Sequence, residues 1–468
     1  MKTLGSLLAS LLLANGPALG RADEPAKRPN IVFLLADDLR PDVLGCYGDR
    51  LAKTPHIDAL AKRGVRFRHH FVTTSICAVS RASIFSGQYA RRHRINDFAT
   101  NFTPEAFAQT YPALLKAAGY RIGFIGKYGV GNKMPERVQF DYWKGFGGQG
   151  NYFDKGTPLH MNRRMGDQAI EFLKTCDKAK PFCLSLSFKC PHAQDKAPRE
   201  FPPDAQDEGE FKDTVFPTPK TAADKFFQLL PEPVRKSEGR VRWERRFNTA
   251  EKSQEIIRDY YRLVTGMDRE IGRIVAALEL FGLADDTIIV FTSDNGFFFG
   301  ERGLADKWFM YEESIRVPCI IMDPRPEKGT GPLESRVPSP FRTRGRALEQ
   351  MSLNIDFAPT LLDYAGVAIP KAMQGKSLRP LVNGETPNWR HDWFYEHHTL
   401  PKIIPPSEGV RTTRYTYLRW VATDPVVEEL YDLATDPYQE QNIVNYASQR
   451  LPLLVLRERW EVLRRAAE

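Results

Sequence analysis

The stretch Ile31-Val-Phe-Leu-Leu-Ala36, closed by Asp37-Asp38, decides how the rest of the chain is read. Six consecutive apolar residues without alternation describe a strand covered on both faces, the kind found in mainly parallel sheets between helix layers. Working outward, comparable runs stand at residues 121–126, 181–188, 287–292 and 317–322. Helical patterns lie between them. Residues 110–119 carry a capping threonine, an early proline and a closing glycine. Residues 253–280 repeat apolar side chains at spacings of three and four, and 354–364 form a shorter helix. Strand then helix, repeated, predicts an α/β fold, a large mainly parallel sheet sandwiched by helices, with ligands beyond the carboxyl ends of its strands.

After Gly366 the texture changes. Trp393-Phe-Tyr395 and Tyr415-Thr-Tyr-Leu-Arg-Trp420 read as short aromatic strands, and residues 453–467 as a terminal amphipathic helix. A smaller C-terminal α+β domain is therefore expected over 367–468, after a large α/β domain over 21–366. The chain's 468 residues suit that division, because single cores stop growing near about 250–300 residues. Residues 190–246, rich in Pro, Asp, Glu and Lys, read as a long excursion over the surface.

Lys and Arg number 66 against 58 Asp and Glu, a surplus of +8. That surplus is mild and lacks a focused basic stripe, so no nucleic-acid partner is expected. Lys2, the leucine-rich run at 4–13 and Ala18-x-Gly20 compose a secretory signal peptide at 1–20. The apolar run is too short to span a bilayer, so no integral membrane segment is expected, and the periplasm or the exterior is the expected location. Cys46, Cys77, Cys176, Cys183, Cys190 and Cys319 show no zinc-site spacing, and at most one disulfide is expected.

Two of the proposed strands end in oxygen-bearing pairs, Asp37-Asp38 and Asp294-Asn295. Either pair alone reads as a turn. Together, four oxygen donors at two strand ends suggest a hard divalent cation, Ca²⁺ or Mg²⁺, and no histidine accompanies them to favour zinc. Cys77 and Arg81 stand four residues apart and share a face if a helix opens there, which would put a cation beside the cysteine. Lys127 could be a solvated strand end. Lys307, among Asp306, Glu312 and Glu313, could be a surface ion pair, and His192, after Pro191, could be a polar loop residue.

The segments RPNIVFLLADDLRPDVLGCYG (28–48), TPHIDALAKRGVRF (54–67), SICAVSRASIFSGQY (75–89), LLKAAGYRIGFIGKYGVG (114–131), FKCPH (188–192), TIIVFTSDNG (287–296), GLADKWFMYEESIRVP (303–318) and EELYDLATDPYQEQN (428–442) closely resemble the type I sulfatases of the alkaline-phosphatase-like superfamily, in the family's order. The resemblance implies a sulfuric ester hydrolase. It implies Asp37, Asp38, Asp294 and Asn295 as Ca²⁺ ligands, and Cys77 as the residue oxidised to formylglycine (3-oxoalanine), whose hydrate is the nucleophile. Arg81 would hold that group, Lys127 and Lys307 would contact sulfate oxygens, and His192 would stand near the nucleophile and leaving oxygen. A formylglycine-generating or sulfatase-maturing enzyme is the implied partner. The C-terminal domain would close one side of the pocket.

Two positions depart from the family pattern: Val79 stands where Pro or Ala is usual in Cys-x-Pro-x-Arg, and Gly129 where a histidine is common. The expected substrate is a sulfated mono-, oligo- or polysaccharide, with His93, Arg94, Asp97, Glu396, His397 and His398 as candidate contacts. Two alternatives stay open: a phosphonate or phosphodiester hydrolase on the same fold, and a catalytically silent protein that binds sulfated glycans.

Overall fold

The computed structural model describes residues 28–135, 137–325 and 345–468, and the expected signal peptide at 1–20 lies outside them. Among the described residues, eight strands make the main sheet. They are β1 (Asn30–Asp37), β2 (Val65–Phe67), β3 (Arg121–Lys127), β4 (Tyr142–Phe146), β5 (Phe182–Pro191), β6 (Thr287–Ser293), β7 (Cys319–Met322) and β8 (Arg346–Leu348). Their spatial order is β8-β2-β7-β6-β1-β5-β3-β4. Every pairing is parallel except the two made by β7, which runs against both β2 and β6. The mainly parallel sheet is thus present with one reversed strand. Between β6 and β7 the chain forms a small antiparallel pair, Phe298–Phe299 with Ala305–Asp306, and the short helix Glu312–Ile315 but no full crossover helix, and it returns antiparallel beside β6.

β1 lies mid-sheet, and its side chains explain its unbroken apolar run. Val32, Leu34 and Ala36 enter one core, Ile31, Phe33 and Leu35 the other. The helices used below are α1 (Pro55–Arg63), α2 (Cys77–Ser86), α3 (Tyr111–Ala117), α4 (Met161–Lys174), α5 (Glu238–Arg246), α6 (Ala250–Leu280), α7 (Phe357–Tyr364) and α8 (Arg450–Ala466). Helices α1, α4 and α6 cover the first core, and α2, α3 and α7 the second. Each large apolar side chain buried between these layers contributes about 1.5–3 kcal/mol relative to exposure. Since both faces are apolar, the hydrophobic pattern cannot set β1's register; its polar end can. Ala36 sits opposite Ser293, and the Leu39 amide donates to Ser293 Oγ at 2.9 Å.

The stretch after β2 does not continue as one strand. His70–Phe71 leaves the main sheet to pair with Ser352–Leu353, which aims the following Thr73–Cys77 segment inward. Residues 190–246 also differ from a plain surface excursion. They fold into short helices, and Phe201, Phe216, Val234 and Arg246 are buried against the body.

A second, antiparallel sheet follows: β9 (Asp392–His397), β10 (Ser407–Thr412), β11 (Tyr415–Trp420) and β12 (Val427–Asp432), in consecutive order. Trp393, Tyr395, Leu418 and Trp420 pack one face onto Phe71, Val79 and Phe309 of the large body. The opposite face lies under α8, where Val410, Tyr417 and Leu430 meet Leu453 and Leu456. All six cysteines are free, and no helix among the described residues is long and apolar enough to cross a membrane.

Candidate active site

Parallel neighbours end together, so the tips of β1 and β6 bring their polar pairs to one point. The Asp294 amide donates to the Ala36 carbonyl at 3.1 Å, and the Asp38 amide to Asp294 Oδ1 at 3.3 Å. Asn295 Nδ2 donates to Asp38 Oδ1. Asp38 itself takes a left-handed φ of 67°, which turns the chain out of the sheet, and Tyr260 of α6 holds its carbonyl at 2.6 Å. Asp37, Asp38, Asp294 and Asn295 are at most 1% exposed.

Three carboxylates and an amide oxygen collected away from water fit a hard divalent cation. Two observations test that fit. Asn295 Oδ1 is buried without a hydrogen-bond partner among the described residues, which costs about 1–3 kcal/mol unless something binds it. Burial also raises the Asp38 carboxyl to about 7, Lys307 pulling it down while Asp37 and Asp294 repel it. A bound dication relieves both. Asp37, Asp38, Cys77 and His192 also present ligand atoms within 4.8 Å of one another.

Cys77 opens α2, and its Sγ lies 3.2 Å from Asp37 Oδ1. No side chain caps this helix, so its unpaired N–H groups bring partial positive charge to position 77. Burial, reinforced by Asp37, pushes the thiol well above its ordinary pKa. One turn on, Arg81 is 1% exposed and spans the site. Its Nε donates to Asp294 Oδ2 at 2.7 Å, its Nη1 to the Lys127 carbonyl at 2.6 Å and to Ser187 Oγ, and its Nη2 lies 3.3 Å from Asp37 Oδ2.

Lys127, at the end of β3, donates to Asp37 Oδ2 and, at 2.6 Å, to Gln149 Oε1. Lys307 is not a surface pair: it is 3% exposed and straddles Asp38 at 2.6 and 2.7 Å. His192 is buried too, its Nε2 3.6 Å from Asp38 Oδ2. Its Nδ1 lies 2.6 Å from the Ala193 carbonyl, which can only accept, so Nδ1 carries the proton and Nε2 faces the cleft with its lone pair. Burial opposes charging Asp37, but Lys127, Arg81 and Lys307 together hold its carboxyl well below the usual range. Asp37, Asp38 and Asp294 balance Arg81, Lys127 and Lys307 charge for charge. A dication added to them leaves the cleft two charges positive, the sign an anionic ester needs.

Lys307 is aimed by its neighbours. Asp306 and Trp308 on either side have φ of 68° and 86°, costly for non-glycine residues. Arg242 and Arg246 of α5 clamp the Asp306 carboxylate, and Tyr395 of β9 donates to the Trp308 carbonyl at 2.7 Å.

Sequence reasoning passed over Ser187, Lys189 and Gln149. A signal for the first two was there: Ser185, Ser187 and Lys189 alternate with Leu184, Leu186 and Phe188 along β5, marking one polar face in a buried strand. Lys189 donates to the Ala193 carbonyl at 3.1 Å, and burial lowers it to about 8. Gln149 lies in a glycine-rich loop that gave no such signal.

The expected substrate contacts divide. His93 uses both ring nitrogens locally, Nε2 3.1 Å from Ser83 Oγ and Nδ1 accepting from the Ile95 amide. Asp97 accepts from the Ala99 and Thr100 amides, and Glu396 pairs with Arg91. His397 is fully buried with neither ring nitrogen partnered among the described residues, while His398 Nε2 meets Glu408 at 3.0 Å. Arg94 is exposed.

Comparison with known proteins bears on what such a cleft does. The family model described as Sulfatase matches residues 29–367, and N-sulphoglucosamine sulphohydrolase, C-terminal, matches 300–465. An N-acetylglucosamine-6-O-sulfatase of Bacteroides thetaiotaomicron is 31% identical, with 96% of this chain and 89% of that protein aligned. A Ulvan-active sulfatase of Formosa agariphila is 29% identical over 90% of this chain and 78% of its own. A solved protein in complex with its substrate, D-glucosamine-2-N,6-O-disulfate, superposes with a TM-score of 0.78 at 29% identity, covering 94% of this chain and 98% of that one.

Proposed function

This chain belongs to the sulfatase family, with its alkaline-phosphatase-like fold, and on that footing we propose that it frees sulfate from a glucosamine-type sulfated sugar using one Ca²⁺ and a formylglycine made from Cys77. It is a sulfuric ester hydrolase. The observation that carries the finer reading is the convergence of Asp37, Asp38, Asp294, Cys77, Arg81, Lys127, His192 and Lys307 in one buried cleft. The named activity of the N-acetylglucosamine-6-O-sulfatase relative supports the choice of sugar.

In this reading Arg81, Lys127 and Lys307 hold three fixed positive charges around the place where the ester's sulfate oxygens crowd. Already oriented by carboxylates, they need no rearrangement as charge develops. His192 presents Nε2 to the cleft, where it takes up a proton and returns it to the leaving oxygen. Asp37, Asp38, Asp294 and Asn295 Oδ1 would hold Ca²⁺, which would supply Lewis-acid charge to the cleft. Position 77 would carry the formylglycine, whose hydrate would supply the hydroxyl groups for attack on sulfur and for release of sulfate. Its formation requires a formylglycine-generating or sulfatase-maturing enzyme. Arg94, Asp97 and the half-buried His398 are the candidate contacts open enough to meet sugar. Export to the periplasm or beyond, after removal of residues 1–20, completes the reading, and N-terminal sequencing of the mature protein checks it.

The test is sulfate release from glucosamine 6-sulfate and 4-nitrophenyl sulfate by protein co-produced with a formylglycine-generating enzyme. Activity should fall on exhaustive chelation and return with Ca²⁺, and Asp294→Ala should lose both bound Ca²⁺ and turnover. Preference for bis(4-nitrophenyl) phosphate, or full activity after chelation, overturns the reading.

A further inference from the structure

Beside the cleft lies a cavity of about 230 Å³ that the chemistry above leaves unused. Gly126 lines it, and the next residue, Lys127, carries the ammonium at Asp37. The cavity thus adjoins the strand end that carries Lys127, and the Gln149 bond to the Lys127 ammonium ties its wall to the cleft. The loop from Gly147 to Asn151 forms the partition. Gly147, Gly150 and Asn151 face the cavity, while Gln149 reaches the other way to Lys127 Nζ. Phe146, Met161 and Met165 give it an apolar floor.

Its rim is polar and unspent. Lys144, Asn151 and Gln168 have no side-chain hydrogen bond or ion pair among the described residues, and Arg164 Nε is buried without a partner. Lys144 lies only over the Tyr142 ring, 5.7 Å from its centroid. The one acid at the rim, Asp154, is already paired with Arg164. The surplus is therefore one positive charge with a set of free N–H donors above an apolar surface. An anionic sugar fits that combination: a pyranose face on the floor, and an oxyanion on Lys144 and the amides.

We propose that this cavity is a subsite for a second oxyanion of the glycan, a uronate carboxylate or a further sulfate, with Lys144 as its specificity-determining residue. The inference rests on the carbohydrate reading above. Equilibrium binding to the protein with unmodified Cys77 tests it without turnover. The probes are glucosamine 6-sulfate, glucosamine 2-N,6-O-disulfate, and a disaccharide joining a uronate to glucosamine 6-sulfate. Lys144→Glu should weaken at least one two-anion probe tenfold or more relative to glucosamine 6-sulfate, and Lys144→Arg should restore it; the probe affected identifies the anion. A relative change within twofold for both, or no binding of either at millimolar concentration, overturns the proposal. Failure of the sulfatase reading appears separately, as absence of sulfate release by the matured enzyme.

Discussion

A β-carbon at position 129 would lie 2.6 Å from Arg81 Cδ, and the backbone there has φ of +73°. Glycine at 129 therefore makes room for the guanidinium that ties Asp37, Asp294 and Lys127 together. Restoring the histidine common in the family should damage this enzyme. Gly129→His is expected to lower kcat/KM for an aryl sulfate at least tenfold and to lower Tm by several degrees, through left-handed strain and displacement of Arg81. Unchanged kinetics and Tm would show that Arg81 does not need the space. At this scale the clustering of four oxygen donors was legible because they terminate apolar runs, and that of Cys77 with Arg81 because four residues make one helical turn. Lys307 and His192 were not legible from local context. Their neighbours in sequence are acids and a proline, and only the fold buries them beside Asp38. Gln149 needed the loop's path, which no pattern of apolar residues specifies.

At the scale of elements, the loop carrying Lys307 is strained on both flanks and held from two directions, by α5 and by β9. Tyr395→Phe removes one hydroxyl and leaves the Trp308 carbonyl unpaired. It should cost about 1–3 kcal/mol in stability. Because the strain is then less well opposed, kcat should fall more than KM rises, measured on 4-nitrophenyl sulfate beside urea unfolding. A stability loss with unaltered kcat would mean that β9 supports the fold but does not aim Lys307. The strands around β1 could be read because burial on both faces leaves a continuous apolar signature. β10 and β12 could not: SEGVRT and VEELYD carry charges on positions that the meander and α8 cover by ion pairs, such as Arg457 with Glu428. The excursion over 190–246 looked polar for a related reason. Its Arg246 is buried, but is matched by Asp195 and Glu200 of the same excursion and by Asp306 beyond it.

Across the whole molecule, His70, His93 and His397 are each lowered to about 3, chiefly by burial. An unfolded chain protonates histidine near 6.5, so between these values the unfolded state binds more protons. Stability should therefore be fully present above about pH 6.5 and decline below it, by at most about 2 kcal/mol per histidine at pH 5. His70→Asn, which can keep a hydrogen bond to Ser352, should flatten that decline in urea unfolding; an unchanged slope would show that His70 is not held neutral. The central claim concerns position 77, where the large domain's sheet, the start of α2 and the clamp of Arg81 meet. Its most direct test is sulfate release from 4-nitrophenyl sulfate by wild type and Cys77→Ala, both co-produced with a formylglycine-generating enzyme. The Ala variant should fold and bind Ca²⁺ as wild type does yet lose about a thousandfold or more in turnover. Wild-type sulfate release by Cys77→Ala would contradict the account.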